Sequence, residues 1–391
     1  KFRKNIAAIQ TMKIIESEKR NASPEEQKIM SEYTGWGGLS QAFDSANEKW
    51  TDEYAELKNL LTESEYNDAR SSVLTAFYTP PFIIDSIYSA LKNMGFDGGS
   101  ILDPATGTGN FLGKMPEEMY NKSRIYAVEK DSISGRISRL LYPDANLKVT
   151  GFEKTDLPDS FFDVAVGNVP FGSIYPSDRR YDKYNFAIHD YFFAKTLDKV
   201  RPGGIVAFIT STGTLDKQNP AVRKYISQRA ELLGAVRLPN NAFKSYAGTQ
   251  VSSDIIFLQK RDRMIDIAPE WVYTGTDAQG HVINNYFTEH PEMILGNVVE
   301  GNNLYGSKGI TVEPFENADL KELLSGAVKN ISGKYEAEKA VIAKPTESKN
   351  QKNKFIPEIL PADPSVKNFS YAEINGKVFY RENSVMTEIN V

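Results

Sequence analysis

The stretch Ile101-Leu102-Asp103-Pro104-Ala105-Thr106-Gly107-Thr108-Gly109-Asn110-Phe111-Leu112 decides the fold that this sequence predicts. A short apolar run ends in an acidic residue, a turn with two glycines follows, and an amphipathic pattern resumes at Phe111. This order is typical of a strand, a tight loop and a helix. Glycines at 107 and 109 lack the β-carbons that would block a ligand, and the first N–H groups of the new helix would face an anionic group. We therefore predict a ligand-binding loop.

Two common nucleotide-binding loops do not fit this stretch. A phosphate-binding P-loop requires glycine five residues before the Gly113-Lys114 pair, but Thr108 occupies that position and Met115 stands where Ser or Thr is needed. The dinucleotide-binding pattern would place its third glycine at Leu112. The loop must therefore serve another ligand.

A second acidic residue ends the next predicted strand. The apolar run Ile125-Tyr126-Ala127-Val128 leads to Glu129, which lies 20 residues beyond Gly109. At this spacing a strand-end carboxylate can accept hydrogen bonds from both hydroxyls of a nucleoside ribose. A solvated acid at the end of a strand is the simpler alternative. We predict that Glu129 binds a ribose.

A third motif follows another apolar strand, at residues 162–167. Asn168-Val169-Pro170-Phe171 lies at the carboxyl end of that strand, where open α/β sheets place their ligands. A chance asparagine–proline turn is the structural alternative.

Together these motifs resemble those of gamma-type N6-adenine-specific DNA methyltransferases. Residues 103–109 resemble the Asp-Pro-x-x-Gly-x-Gly cofactor loop of S-adenosylmethionine-dependent enzymes that methylate amino groups in nucleic acids. Residues 77–81 resemble the Phe-Tyr-Thr-Pro element that precedes this loop and helps to enclose the methionine part of the cofactor. Residues 168–171 resemble the Asn/Asp-Pro-Pro-Tyr/Phe signature, with Val169 in place of the first proline. The resemblance is closest to the methylase region of large plasmid and conjugative-element proteins, in which a helicase-like region follows.

The resemblance implies a cofactor site and a catalytic site. In relatives an aromatic residue and an acid contact the cofactor adenine after the third strand, where Asp156 competes with Glu153 for the acidic role. The residues implied to bind S-adenosyl-L-methionine are Tyr78, Thr79, Pro80, Asp103, Ala105, Thr106, Gly107, Gly109, Phe111, Glu129, Phe152, Glu153 and Asn168. Those implied to act in catalysis are Asn168, Val169, Pro170 and Phe171.

The catalytic motif has the residue types that methyl transfer to a planar amine requires. An exocyclic amine conjugated to a ring is a poor nucleophile, so it needs two acceptors that hold both hydrogens and favour a pyramidal nitrogen. The side-chain oxygen of Asn168 and the backbone carbonyl of Val169 can supply these acceptors, and Phe171 can stack on a flipped-out base. Because the second acceptor belongs to the backbone, valine at 169 need not abolish function. Pro170 still holds residue 169 extended.

The alternation of strand and helix patterns from 100 to 260 predicts an α/β fold, with a mostly parallel sheet covered by helices on both faces. With the resemblance, this is a Rossmann-like S-adenosylmethionine-dependent methyltransferase fold. We expect three parts: a helical N-terminal extension (1–75), a catalytic domain (76–262) and an irregular α+β C-terminal extension (263–391). The last would include a Lys/Glu-rich exposed helix or linker at 328–354 and a terminal β-hairpin around Asn375-Gly376.

Local patterns predict several details. Ser23 with Glu26, and Thr62 with Glu65, form capping boxes that start helices. Thr79 followed by prolines predicts a helix start for 82–94. Three glycines around Trp36 favour a turn held by a buried indole over a contact with DNA or cofactor.

Composition restricts the classes of function. A chain of 391 residues with 40% hydrophobic content can bury a sizeable core. It contains no apolar run of 18 residues and no signal sequence, so we expect a cytoplasmic protein without a membrane partner. The absence of cysteine excludes disulfides, thiolate metal sites and the cysteine nucleophile of cytosine ring methylation, and three histidines leave little for a metal. We expect no metal.

DNA is the expected partner, together with a downstream helicase-like region of a longer polypeptide. The sequence lacks an initiator methionine, so we expect it to be part of something longer. The net charge of -5 does not suit non-specific coating of nucleic acid, so DNA affinity would come from a local basic face or from a partner.

Two other functions remain open from the sequence. The first is methylation of RNA or of a protein glutamine amide, because methyltransferases that act on those substrates use similar Asn-Pro-Pro-Tyr signatures. A non-catalytic module of a mobile-element protein that binds cofactor or DNA without turnover is the second, because Val169 departs from the signature and the net charge is acidic.

Overall fold

A seven-stranded sheet organises the molecule. The computed structural model describes residues 1–73, 79–244, 250–302, 308–337, 357–363 and 365–389. The strand order is β3-β2-β1-β4-β5-β7-β6. The strands are β1 (Ser100–Asp103), β2 (Arg124–Glu129), β3 (Asn146–Val149), β4 (Phe162–Asn168), β5 (Val200–Ser211), β6 (Ala230–Leu238) and β7 (Ser253–Lys260). The five strands from β3 to β5 pair in parallel, which confirms the predicted α/β fold with a mostly parallel sheet.

The central strands are apolar because both faces of the sheet are covered. Residues 100–103 of β1 and residues 162–167 of β4 are all buried. Successive side chains in a strand point to opposite faces, so an unbroken buried run requires packing on each side. The helices of this region are α5 (Pro81–Asn93), α6 (Asn110–Lys114), α7 (Glu117–Asn121), α8 (Ser132–Leu141), α9 (Ile188–Lys199), α10 (Gly213–Asp216) and α11 (Ala221–Arg229).

The last strand of the sheet is not an edge strand. β7 lies between β5 and β6 and is antiparallel to both, with Phe208 opposite Ile256 and Val236 opposite Ile255. We predicted a closing strand over 249–258, of which Thr249 lies outside the described residues. The structure shows that this strand, β7, lies inside the sheet and that β6 forms the edge.

The N-terminal region is helical, as predicted. Its helices are α1 (Phe2–Glu18), α2 (Pro24–Ser31), α3 (Thr51–Leu60) and α4 (Glu63–Ser72), and both predicted capping boxes are present. Trp36 is fully buried, with its ring centroid 5.4 Å from that of Phe43, so the glycine-rich turn is held by the indole. Arg136 of α8 forms ion pairs with Glu16 and Glu65, which joins this helical layer to the catalytic region.

Thr79 does not cap α5. The helix begins at Pro81, which places Pro80 at the cap position, and no side chain accepts a hydrogen bond there. The predicted cap is wrong because the second proline, Pro81, occupies the first helical position, so that Thr79 lies one residue before the cap. The hydroxyl of Thr79 contacts β4 instead.

The C-terminal part is an irregular α+β region of short strands and helices, as we expected. Its elements are β8 (Thr274–Thr276), β9 (Val282–Asn284), β10 (Asn297–Asn302), β11 (Lys308–Glu313), β12 (Ile359–Pro361), β13 (Tyr371–Ile374), β14 (Lys377–Glu382), β15 (Val385–Glu388) and the helices Asn285–Glu289 and Leu320–Ala327. The predicted hairpin at Asn375-Gly376 is confirmed, and it forms part of a four-stranded sheet. In this sheet the buried Arg381 lies over the ring of Phe161, 5.0 Å from its centroid.

The prediction of an exposed helix or linker at 328–354 holds for seven of its first ten residues, which are exposed, and is wrong for Val328, Ile331 and Tyr335. Val328 and Ile331 are buried, and the backbone N–H of Tyr335 donates to the carbonyl of Met94 at 2.7 Å. The Tyr335 hydroxyl donates to Asp163 Oδ1 at 2.8 Å, beside the Arg201–Asp163 ion pair. This segment therefore packs against the sheet, while residues 338–354 lie outside the described residues.

Candidate active site

A cavity of about 640 Å³ lies where the carboxyl ends of β1, β2 and β4 meet. These ends are neighbours because β1 pairs with β2 on one side and with β4 on the other. The volume falls within the roughly 300–1,000 Å³ that small-molecule sites occupy. The predicted site residues in its wall are Thr79, Ala105, Thr106, Gly107, Phe111, Glu129, Phe152, Glu153, Asn168, Val169, Pro170 and Phe171. Residues of the predicted cofactor and catalytic motifs therefore face one space.

Backbone hydrogen bonds hold the loop after β1 in place. The N–H of Thr106 donates to the carbonyl of Val128 at 3.0 Å, and the N–H of Gly109 donates to the carbonyl of Thr106 at 2.9 Å. The N–H of Gly107 donates to Glu129 Oε2 at 2.7 Å. The glycine loop and the strand-end acid, which the sequence presented as separate motifs, thus form one structure.

Glu129 is a half-buried acceptor at the wall of the cavity. Its Oε1 accepts a hydrogen bond from the N–H of Asp131 at 2.7 Å. Burial, reinforced by the neighbouring Asp131, raises the pKa of Glu129 to about 7. An ionised carboxylate offers about four lone-pair sites, so the two backbone bonds leave capacity for ribose hydroxyls.

The two loop glycines have different roles. Gly107 has φ of 57° and lines the cavity, and a β-carbon there would meet no heavy atom within 4 Å. Gly109 has φ of 87°, and a β-carbon there would lie 2.3 Å from Cε2 of Tyr142. The interpretation that both glycines admit a ligand is therefore wrong for Gly109, whose bare backbone accommodates the Tyr142 ring.

Asp103 supports the loop from behind the wall. Its side chain is buried, Oδ1 accepts from the N–H of Ala105 at 3.2 Å, and burial raises its pKa to about 7. A β-carbon on Gly167 would lie 2.9 Å from the same oxygen, so glycine in β4 makes room for this carboxyl. Asp103, Pro80 and Gly109 do not line the cavity, and Tyr78 lies outside the described residues.

An aromatic residue and an acid follow β3, as we expected. The buried ring of Phe152 has its centroid 4.9 Å from that of Phe192, and Glu153 lies beside it in the wall. The Asp156 side chain is 87% exposed and forms an ion pair with Lys148. The geometry favours Glu153 over Asp156 at the cavity.

Asn168 ends β4 at the opposite side of the cavity from the loop between β2 and α8. Its Nδ2 donates to Thr79 Oγ1 at 3.2 Å, which fixes the rotation of the amide. The N–H of Val169 donates to the carbonyl of Ile209 in β5 at 3.1 Å, so the next residue is held as well. Phe171 is 6% exposed and lines the wall.

Sequence reasoning missed part of the wall. Asp131 has a signal in the sequence, since it lies two residues after the predicted ribose ligand. Asp68 has no such signal in the sequence. It belongs to α4, which lines the cavity because it packs on α8. The other residues missed include Gly35, Ser71, Ser72, Lys130, Ser134, Lys154, Ile174, Tyr175 and Ile188.

Comparison with known proteins identifies the family. A family model described as N-6 DNA methylase matches residues 61–279, which is more than half of the chain. The chain belongs to the N-6 DNA methylase family. The matched span contains the glycine loop, Glu129 and the Asn168 motif.

Three relatives share sequence with this chain. Defense against restriction protein B of Escherichia phage P1 is 34% identical over 48% of this chain and 8% of its own length. The type I restriction enzyme EcoEI methylase subunit of Escherichia coli is 26% identical over 55% of this chain and 47% of its own length. The rRNA N(6)-adenosine-methyltransferase metl-5 of Caenorhabditis elegans is 27% identical over 44% of this chain and 80% of its own. The chain thus spans less than half of the length of the phage and E. coli relatives.

As a member of this family, the chain has the methyltransferase fold with its mostly parallel sheet, and S-adenosylmethionine is the cofactor. Solved methyltransferase structures align with the chain at TM-scores of 0.41–0.43 and 16–19% identity, which is too remote to support conclusions about the site. Within the described residues, no group of three or more acidic or histidine side chains could hold a metal ion. None of the helices described is long and apolar enough to cross a membrane.

Proposed function

We propose that this protein methylates the exocyclic N6 amine of adenine in DNA, using S-adenosylmethionine as the methyl donor. The observation that carries the proposal is the shared cavity, whose wall contains Gly107 after β1, Glu129 at the end of β2 and Asn168 at the end of β4. A methyl donor and an amine acceptor must meet within one site for direct transfer, and this cavity has elements for both. The names of the phage and E. coli relatives point to restriction systems, which act on DNA.

In the proposed cofactor site, Glu129 accepts hydrogen bonds from the ribose hydroxyls, and Phe152 with Glu153 contacts the adenine of the cofactor. Gly107 allows the backbone to approach the ligand closely, because no atom fills the space in front of it. The cofactor supplies an activated methyl group on a positively charged sulfur.

In the proposed catalytic site, the Asn168 side-chain oxygen and the Val169 carbonyl accept the two N6 hydrogens of the target adenine. These acceptors favour a pyramidal nitrogen, whose lone pair then attacks the methyl carbon. In the transfer, the bond between the methyl carbon and sulfur would break with its electron pair left on sulfur, and the methylated, positively charged nitrogen would release one proton to water. No covalent enzyme intermediate is required.

The target base must leave the duplex to enter this cavity, because Phe171 and Val169 are buried in its wall. Extruding a base costs a few kcal/mol, which enzymes recover through contacts to the surrounding DNA. The chain carries 46 basic and 51 acidic residues, which gives little general attraction to phosphates. We therefore propose that it methylates unpaired adenine better than duplex adenine.

The test is a methyl-transfer assay with labelled S-adenosylmethionine and four substrates: single-stranded DNA, duplex DNA, RNA and a glutamine-containing peptide. We expect turnover on DNA that is greatest on the single strand and is lost in Asn168→Ala, with cofactor binding retained. The name of the C. elegans relative makes adenosine in RNA the second candidate, and preferential labelling of RNA would select it. Cofactor binding without turnover on any substrate would show that the chain is a non-catalytic module.

A further inference from the structure

A second, smaller cavity adjoins the catalytic end of the first. Its volume is about 250 Å³. Tyr175, Pro176 and Ser177 line both cavities, so the two share a wall in the segment between β4 and α9. Ile174 and Tyr175 at this wall are 48% and 57% exposed. The smaller cavity, which we call the side cavity, therefore lies next to the proposed target-base site.

The loop around the side cavity is held in a defined shape. The N–H of Ile188 donates to the carbonyl of Ile174 at 2.7 Å, which joins the two ends of the loop. Asp178 Oδ2 accepts from the Tyr191 hydroxyl at 2.7 Å and from Lys195 Nζ at 2.9 Å, which ties the loop to α9. A cavity with such support exists before any ligand arrives.

Aromatic residues make up half of the lining of the side cavity. They are Tyr175, Tyr181, Phe186 and Tyr191. Tyr181, Phe186 and Tyr191 are buried, and the hydroxyls of Tyr181 and Tyr191 donate to Asp198 and Asp178, both at 2.7 Å. Tyr175 is exposed, so its ring presents accessible aromatic surface at the wall that the two cavities share. An exposed aromatic ring can stack on the planar face of a nucleobase.

The lining of the side cavity also contains polar residues, among them Asn185 and Asp182. Asn185 has φ of 48° and an exposed side chain that carries both donors and an acceptor. Asp182 lies beside it in the lining and presents carboxylate oxygens, one of which accepts from the N–H of Asp178 at 2.7 Å. An asparagine amide can pair with an adenine edge in two hydrogen bonds, and a carboxylate accepts from an exocyclic amine.

We propose that the side cavity binds a nucleobase that neighbours the target adenine in the same strand, and that it prefers a base with an exocyclic amine. The inference rests on the proposed nucleic-acid substrate. The volume is smaller than the roughly 300–1,000 Å³ of drug-sized sites, which suits one base without its sugar and phosphate. The shared wall at Tyr175 places the side cavity next to the proposed target-base site.

The experiment uses single-stranded DNA oligonucleotides with one adenine target. An abasic site or a thymine replaces each of the two neighbours on either side in turn, and kcat/KM is measured with the whole chain. We expect wild-type kcat/KM to fall roughly tenfold at one neighbouring position only, the loss that follows from removing one stacked base. In Asn185→Gly, which keeps the positive φ without strain, adenine and thymine at that position should differ less than twofold.

Two variants sharpen the result. Asn185→Asp retains the shape but removes the donors, so it should change which base is preferred at that position. Asn317→Gly is the matched control, because Asn317 also has positive φ (57°) and is exposed elsewhere on the chain, and it should behave as wild type.

The outcomes separate this inference from the proposed function. Turnover that is equal for all neighbouring bases would overturn the side-cavity proposal and leave adenine methylation intact. A preference that persists unchanged in both Asn185 variants would overturn it as well. Absence of turnover on every oligonucleotide would overturn the proposed function, and the inference with it.

Discussion

The side-chain amide of Asn168 donates a hydrogen bond of 3.2 Å to the hydroxyl of Thr79, across 89 residues of sequence. This bond joins the strand that carries the proposed catalytic motif to the segment that leads into α5. Because the amide can rotate about its side-chain torsions, a fixed acceptor for its N–H group determines where its oxygen points. Thr79 is therefore a positioning residue in the proposed mechanism.

Replacing Thr79 by valine should lower kcat without comparable loss of cofactor affinity. The variant removes one neutral hydrogen bond, worth about 0.5–1.5 kcal/mol, so we expect kcat to fall roughly tenfold or less. Thr79→Ser retains the hydroxyl and should keep most of the activity. Equal kcat in the valine and serine variants would show that the bond does not orient the amide.

Glu129→Ala should weaken cofactor binding. The substitution leaves the ribose hydroxyls and the N–H of Gly107 without their acceptor, at a cost of roughly 1–3 kcal/mol. Isothermal titration calorimetry with S-adenosylmethionine measures the loss. Asp156→Ala is the control, since its exposed side chain lies away from the cavity and its removal should leave affinity unchanged. Unchanged affinity in Glu129→Ala would refute its assignment as the ribose ligand.

Cofactor affinity should depend on pH near neutrality. Burial raises the pKa of Glu129 to about 7, so its carboxyl is protonated below that pH in the cofactor-free protein. The carboxylate is the better acceptor for ribose hydroxyls, so affinity should fall by up to tenfold per pH unit below about pH 7. Calorimetric titrations from pH 5.5 to about 8.5 measure the profile. Glu129→Gln should flatten it, and an unaltered profile in that variant would assign the dependence to another group.

The same pKa shift has the opposite consequence for folding stability. Because the folded pKa of Glu129 lies above its ordinary value, its contribution to stability is fully present below about pH 4.5 and is lost as pH rises through about 7. Asp103, with a pKa also raised to about 7 by burial, acts in the same direction. Without cofactor, Glu129→Gln should therefore lose less free energy of unfolding than wild type between pH 6 and pH 8. Urea unfolding at the two pH values tests this, and an equal loss would contradict it.

Gly109→Ala should destabilise the fold more than Gly107→Ala. The new β-carbon at 109 would meet the Tyr142 ring at 2.3 Å, whereas that at 107 would meet open space, and both residues have positive φ. Overpacking of this kind costs about 1–3 kcal/mol in addition to the backbone strain. Urea unfolding of the two variants without cofactor gives the comparison. If Gly107→Ala proved the less stable, our account of Gly109 would be wrong.

The sequence determined the sheet and the outline of the site. Apolar runs that end in Asp103, Glu129 and Asn168 predicted strands whose carboxyl ends meet, because a run of that type is stable only when both sheet faces are covered. The glycine loop and Glu129 at the end of β2 could be predicted for the same reason, because each is a local pattern at the end of a strand. The family resemblance added the cofactor and the reaction.

The tertiary structure decided the relationships between distant segments. Three contacts join elements that are far apart in the sequence, and no local pattern predicts them. They are the hydrogen bond between Thr79 and Asn168, the packing of the Tyr142 ring against Gly109, and the place of Asp68 in the cavity wall. The placement of Tyr335 against Asp163 likewise overrode a Lys- and Glu-rich composition that favours exposure. Periodicity indicates which face of an element is buried, but not which other element covers that face. These contacts therefore depend on the packing of the whole chain.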